Sequence, residues 1–453
     1  MNHCLKLEQE KVSKLLFRYS MPAIIAMLVN ALYNVVDRVC IGRGVATLGI
    51  AGVTFCFPIM NIIVGLTLLV GIGSVTLISI NLGKKNMAES EHILNNSLVL
   101  ITIISIAFSV ICYLNINNIL KLFGASSEVF PYAKQYLQII LSGSLFQGIG
   151  SGLNHCIRAD GNPKRSMAIM LTGAVTNIIL TPFFIFVMHL GIRGAAIGTV
   201  IAQSLTAILV LCYFTRGNSK LKLSIHNCKL NINRSIKTIV IGLAPFLSQL
   251  AASVVTIVLN KWLGMYQGDI AVSAMGVVTT TSMLLLMPIY GINQGLQPIL
   301  GYNYGAAKAN RVKQVVKLAS AWASIITTLG YILIFICSKS IMLLFSKNDP
   351  QLVVVGTKMF KLFLLGMPLL GLQFVGSSCF LAMGKPKQSL LLSLLRQVLL
   401  LMPLIIILAH FYKFKGILLA GPIADTIAFI ITALFVYKEF KNLSFNKDIK
   451  IAS

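Results

Sequence analysis

Acid is scarce in this chain: 12 Asp and Glu stand against 38 Lys and Arg in 453 residues. Charged residues make up only 11%, about half the share of an ordinary soluble domain. With 57% hydrophobic residues and a mean hydropathy of +0.85, a water-soluble fold is excluded and a membrane protein is implied. CxxC pairs are absent among the nine cysteines, most of which fall inside apolar runs, so they read as small apolar side chains and not as metal ligands or a disulfide frame. The six histidines are scattered; only His155, near Arg158 and Asp160, draws notice, and a loop-end contact accounts for it. The phosphate loop GxxxxGK[ST] is missing, which argues against an ATP-driven pump. HExxH and GxSxG are missing too, which leaves an intramembrane enzyme without machinery. The formal charge of +26 would suit nucleic acid, but no polar stretch is long enough to fold into a reader of it.

What the chain has is long runs free of charge. A helix needs roughly 20 apolar residues to cross a ~30 Å hydrocarbon core. Twelve such runs lie near residues 19–41, 52–81, 93–117, 135–157, 166–189, 192–214, 238–260, 271–301, 318–337, 358–381, 388–411 and 415–437. The leading "MNHCLKLEQEKVSKLLFRYS" is too polar and too long for a signal peptide, so the chain is expected to keep its N-terminus. Alternate loops collect most of the Lys and Arg, including Lys84, Lys85, Lys164, Arg165, Lys222, Arg234, Lys308, Arg311, Lys385 and Lys438. The positive-inside rule then places both termini and the central loop in the cytoplasm of a cell-membrane protein.

Sliding the chain along itself by 222–223 residues brings like residues together in order. Pro22 meets Pro245, Gly73 meets Gly295, and "NLG" ending at Gly83 meets "NYG" ending at Gly305. "GNPKRS" at 161–166 meets "GKPKQS" at 384–389, and Gly194 meets Gly416. Six spans separate each pair, so the copies run in parallel. The expected fold is all-α and integral to the membrane, with twelve transmembrane helices in two six-helix lobes related by an internal repeat. The expected divisions are an N-terminal lobe at 1–214, a basic linker at 215–235, a C-terminal lobe at 236–440 and a tail at 441–453. Prolines within spans, among them Pro182, Pro368, Pro403 and Pro422, are expected to bend their helices.

A carboxylate at the centre of a bilayer helix costs on the order of 2.5–3.5 kcal/mol on insertion scales, so it usually faces a cavity and has a task. Two qualify, Asp37 and Asp425. Asp425 lies ~15 Å into span twelve at 1.5 Å per residue. Its repeat mate is Gln203, and a neutral Asp425 in an interhelical hydrogen bond is the plain alternative to a functional role. Asp37, Asn177, Thr181 and Thr199 fall within one layer by the same arithmetic. One carboxylate with amide and hydroxyl oxygens can hold a proton or a hard cation such as Na⁺. A side chain at the outer interface held by Arg38 or Arg43 is the plain alternative for Asp37. Arg396 in span eleven either reaches for the interface or serves a cavity. Gln147, Met287, Tyr290 and Gln294, with Asp425, Gln203 and Arg396, are the expected substrate contacts. The Gly pairs 194/198 and 291/295 match GxxxG, which more often reflects close helix packing.

The segments "YNVVDRVCIG", "IRADGNPKRS", "TNIILTPFFIF", "GIRGAAIGTVIAQ" and "LLRQVLLLMPL" together resemble the multidrug and toxic compound extrusion family, over both lobes. The resemblance implies an antiporter that exports small organic, often cationic, compounds in exchange for H⁺ or Na⁺, with no cofactor besides the coupling ion. It makes Asp37 the essential acid of the first helix, Asn177 its amide partner and Thr199 its hydroxyl, a set to which Na⁺ binding at Asp37, Asn177 and Thr199 would belong. Thr181 departs, because such members usually carry Asp four residues after that Asn. One charge fewer weakens a Na⁺ site and shifts the expectation toward proton coupling. A monomer among membrane lipids is expected, with no nucleic acid partner. A flippase of lipid-linked sugars from the same superfamily is the alternative, but flippases tend to line the cleft with several bases and Arg396 is nearly alone. A channel or a membrane scaffold would need neither the repeat nor buried acids in both lobes.

Overall fold

The computed structural model describes residues 7–8, 10–123, 126–217, 219–224, 230–345 and 349–451, with backbone alone at 46–48, 50, 269 and 444–451. Cys4, Lys6, Cys228 and Lys229 lie outside the described residues. Helices account for all regular structure among the described residues. In chain order they are α1 Val12–Val45, α2 Ala51–Gly83, α3 Met87–Leu114, the short α4 Ile116–Leu122, α5 Phe130–Gln147 and α6 Leu153–Ala159. There follow α7 Pro163–Pro182, α8 Gly191–Thr215, α9 Ile232–Gly268, α10 Ile270–Gly305 and α11 Ala309–Phe345. The last are α12 Pro350–Phe363, α13 Leu370–Ala382, α14 Pro386–Leu394 and α15 Met402–Ile451.

Among the described residues, nine helices are long and apolar enough to cross a membrane, and ten if the pair bent by 41° between Phe363 and Met367 is one span. The α5–α6 pair, joined through a π-helical turn at Gly148–Gly152, adds a further span, and the non-helical backbone of Lys413 breaks α15 in two, so that the stretch Pro386–Leu443 makes two spans. The twelve spans expected from the apolar runs are thus in place. Only helices keep every backbone N–H and C=O satisfied within one segment in hydrocarbon. Their outer faces carry exposed apolar side chains, as at Ile179 (62% exposed) and Ile336 (74% exposed), which suits a lipid surrounding.

Three of the prolines lie at changes of helical winding, and one of these, Pro368, is at the 41° bend. Pro182 is followed at once by a π-helical turn at Phe183–Val187, Pro403 comes two residues after another at Leu395–Leu401, and Pro368 lies in a 3₁₀ turn at Met367–Leu369. A missing N–H in each case releases a backbone carbonyl and lets the helix change its winding.

The chain groups into two compact units. One is built on Met21–Phe246, the other on Leu7–Ser20 together with Leu247–Ser453. The core of the first includes Ile41, Tyr136, Leu137, Ala195 and Ala196, with Cys40, Cys56 and Cys112 among them as apolar filler. The core of the second includes Leu263, Met275, Met359, Phe360, Ile405 and Ala424. No disulfide joins the described cysteines.

The repeat extends to backbone dihedrals. Gly161 (φ 97°) and Gly384 (φ 68°), which are 223 residues apart, both take the left-handed region at the turn before a Pro-initiated helix. Glycine suits that turn because it has no Cβ to collide with the following carbonyl. Lys85 (φ 61°) and Ala307 (φ 55°) form a second pair, and Gly191 (φ 56°) and Lys413 (φ 50°) a third. In each unit a glycine of the second span meets a crossing helix: a Cβ on Gly73 would lie 2.1 Å from the Thr238 carbonyl, and one on its mate Gly295 would lie 2.7 Å from the Ser20 nitrogen.

Candidate functional site

In the first unit, helix α8 approaches α7 along its small residues. A Cβ on Gly194 would come 2.9 Å from the Phe184 carbonyl oxygen, and one on Gly198 would come 3.2 Å from the Thr181 nitrogen. Glycines therefore permit this crossing, and the crossing sets Thr199 against Asn177. The Asn177 amide donates to Thr199 Oγ1 at 3.1 Å, and Thr199 donates to the Ala195 carbonyl at 3.1 Å. Thr181 Oγ1 donates to Asn177 Oδ1 at 3.4 Å and lies within electrostatic reach of the Asp37 carboxylate. A hydroxyl has one proton to give; an ionised carboxylate is the stronger acceptor. Asn177, Thr181 and Thr199 are all buried.

Asp37 completes this group from α1. Its Oδ1 is buried and has no hydrogen-bond partner. Arg38 does not neutralise it directly: the guanidinium lies 4.9 Å from the centre of the Phe57 ring, and no ion pair to Asp37 forms among the described residues. An oxygen of that kind is a place for a proton or for the last ligand of a small cation. No cluster of three or more His, Cys, Asp or Glu capable of holding a metal occurs among the described residues. A cation here would rest on one carboxylate and neutral oxygens.

Two tyrosines were not singled out from sequence. Tyr33, one turn before Asp37 on the same helical face, and the buried Tyr136 of α5 both lie within electrostatic reach of its carboxylate. The i, i+4 spacing of Tyr33 and Asp37 was a usable signal; nothing in the sequence marked Tyr136.

The remaining residues expected to matter are divided between the units. Gln203 donates its amide to Gln147 Oε1 at 3.3 Å in the first unit, and the Gln203 carbonyl oxygen is buried without a partner. In the second unit Met287, Tyr290 and Gln294 share one face of α10, where the Tyr290 ring meets Phe374 edge-on at 5.7 Å. Arg396 and Asp425 meet: Arg396 Nε donates to Asp425 Oδ1 at 2.6 Å. Asp425 therefore does take part in an interhelical bond, but with a guanidinium as its partner. Gly366 makes room for it, since a Cβ there would lie 2.6 Å from Asp425 Oδ2.

At the end of the first unit where "GNPKRS" turns, His155 and Arg158 are in contact at 2.5 Å, and Arg158 also donates to Ser166 Oγ at 2.9 Å. Asp160, buried beside them, gathers the start of the inter-lobe segment. It accepts from Tyr213 OH (2.5 Å), Ser219 Oγ (3.1 Å) and the backbone N–H groups of Lys220 (3.2 Å) and Leu221 (3.1 Å). Burial pushes its carboxyl above the usual carboxylate range against the pull of these bonds. The segment is held further along by Asn95, Asn96 and a two-pronged Arg234–Glu89 pair at 2.9 and 2.7 Å.

Comparison with known proteins fits this architecture. The MatE family model matches residues 22–183 and again 245–407, starting at the two prolines that the internal repeat superposes. The multidrug export protein MepA of Staphylococcus haemolyticus (strain JCSC1435) is 26% identical over 440 residues, covering 97% of this chain and 96% of its own. The solved structure of the MATE multidrug transporter DinF-BH, determined as a complex, superposes with a TM-score of 0.90 at 36% identity, covering 96% of this chain and 98% of its own. A MATE crystallised in complex with MaL6 gives a TM-score of 0.91 at 22% identity over 97% and 99% of the two chains, which speaks to the fold alone. With both halves of the chain matched and the two-lobe helical fold shared, this multi-pass membrane protein belongs to the MatE family of multidrug efflux transporters.

Proposed function

We propose that the chain is a secondary antiporter of the cell membrane that exports small organic, mainly cationic, compounds in exchange for protons taken up at Asp37. The observation that carries this reading is the partnerless buried oxygen of Asp37 beside the Asn177–Thr181–Thr199 group. The carboxylate has two states, and each favours a different packing of the helices around it. A bound cation or proton shifts such an equilibrium only by its difference in affinity for the two arrangements. Protonation removes the charge and with it the attraction for a cationic cargo, which then leaves. Uptake on one side of the membrane and loss on the other make the exchange obligatory. Thr181 in place of an acid leaves one formal charge in the group, and that favours H⁺ over Na⁺. Gln147, Gln203, Met287, Tyr290 and Gln294 supply cargo contacts, both termini face the cytoplasm, and the working form is a single chain among lipids. The names of the relatives, multidrug export proteins, support export over the flippase alternative.

The test is dye export from proteoliposomes under separately imposed pH and Na⁺ gradients. Export should follow the pH gradient, and Asp37→Asn should abolish it while the protein still inserts at normal yield. Undiminished export by that variant, or export driven equally with all gradients collapsed, would refute the proposal.

A further inference from the structure

The Arg396–Asp425 pair has more capacity than the pairing uses. Asp425 is 4% exposed and holds Arg396 by the Nε alone, whereas the Arg396 side chain remains 21% exposed. Among the described residues nothing accepts from its two terminal nitrogens. Four N–H bonds of a planar fork are thus left over, on a guanidinium whose orientation is fixed from behind by a buried acid. The fork suits a carboxylate, which binds a guanidinium through two parallel bonds. A lone lysine at this place would be a point charge without that geometry.

The same unit holds polar acceptors with unused capacity. Gln397 Oε1, next in sequence to Arg396, is buried with no partner, and so are Gln373 Oε1 and Asn293 Oδ1 in the same unit. Asn293 is tied to α13 through the Phe374 carbonyl at 3.4 Å, the Phe374 ring packs on Tyr290, and Tyr290 lies within electrostatic reach of Arg396. Arg396 itself sits in the π-helical turn Leu395–Leu401, a winding that turns side chains out of ordinary helical register. Buried acceptors without donors are costly in an apolar lobe, and a ligand that brings N–H groups relieves them.

From this geometry we infer that Arg396 is a carboxylate-recognition residue in the second lobe, positioned by Asp425, and that it selects amphipathic organic zwitterions among the exported compounds. The acid group of the cargo lies on the Arg396 fork; its nitrogen donors face the Gln397, Gln373 and Asn293 oxygens. Asp425 does not meet the cargo and acts through Arg396. This deepens the export reading, on which it rests for the word cargo, by naming the residue that tells acid-bearing cargo from plain cations.

The test measures binding of rhodamine 110, a zwitterion with a free carboxylate and amino N–H groups, and of its methyl ester rhodamine 123, a cation, to the purified full chain by fluorescence polarisation. Wild type should hold the acid about tenfold tighter than the ester, the worth of a two-pronged charged contact. Arg396→Gln should bring the ratio near one through loss of acid binding, with ester binding unchanged, and Arg396→Lys should fall between. Because Arg396→Gln leaves Asp425 buried without its partner, the double variant Arg396→Gln/Asp425→Asn serves as the neutral, folded control, and it too should show a ratio near one. Asp425→Asn alone should lower the ratio while keeping the charge of Arg396. Equal binding of both dyes by wild type, or a tenfold ratio surviving in the double variant, would overturn the inference. Dye export in proteoliposomes reads the other proposal separately: export lost with the binding ratio intact refutes the export reading and leaves the recognition site standing.

Discussion

Thr181 sits where a second carboxylate would change the chemistry of the first lobe. It is fully buried, its hydroxyl donates to Asn177 Oδ1, and it lies within electrostatic reach of Asp37. Thr181→Asp adds a negative charge at that position, and two carboxylates so close cannot both ionise unless a cation lies between them. The expected outcome is that dye export by Thr181→Asp becomes driven by a Na⁺ gradient, whereas wild type follows the pH gradient alone; vesicle transport under each gradient decides. Asp37 stood out in the sequence because a carboxylate inside hydrocarbon costs energy, whereas Asn177 and Thr199 were set beside it by depth along their helices and by the family resemblance. Tyr136 was not, since tyrosine is common in apolar spans. Nor was the bond between Arg396 and Asp425, 29 residues apart on different helices, because periodicity gives the face of each helix but not the rotation of one against another.

The inter-lobe segment, as an element, is a strap and not a free tether. Its first residues hang on Asp160, its middle on Asn95 and Asn96, and its end on Glu89 through Arg234. Asp160→Ala would strand the Leu221 N–H and take an acceptor from Tyr213, Ser219 and Lys220, at a cost on the order of 2–5 kcal/mol to the local closed state. Trypsin cleavage at Lys220 and Lys222 tracks the population of the open strap. It is expected to speed up by at least about tenfold in Asp160→Ala, with α3 and α5 remaining intact; equal cleavage of variant and wild type would show that Asp160 does not hold the segment. Composition alone marked residues 215–235 as a polar, basic stretch between lobes. It could not reveal the docking, since the partners Glu89, Asn95 and Asn96 lie over a hundred residues upstream on α3. The prolines were easier to read, because a missing N–H acts locally wherever the helix runs.

Across the whole molecule the repeat was plain in the residues, and it continues into positions that share no residue type, such as Lys85 with Ala307 and Gly191 with Lys413. Turns of one shape can be built on different side chains, so sequence matching passes over them. The grouping of the opening segment with the second unit was equally hidden. Leu7–Ser20 leads into the first lobe, yet Arg311 of α11 donates to the carbonyls of Leu7 (3.1 Å) and Glu10 (2.8 Å), and Lys308 pairs with Glu8 at 2.7 Å. Arg311→Ala removes both carbonyl bonds, each on the order of 1.5–3 kcal/mol for a charged donor. Trypsin is then expected to cut at Lys11 and Lys14 in the variant well before it does in wild type, as followed by the loss of the N-terminal fragment on gels. An unchanged cutting pattern would mean that the segment is held without the Arg311 bonds, by the Lys308–Glu8 pair and its apolar contacts.

That arrangement governs how the molecule is made. A ribosome adding about 5–20 residues per second needs roughly 15–60 s to proceed from the opening turns to the helix that will receive them. Until then the start of α1 lacks its α11 partners, so this segment docks only after the first lobe has been made.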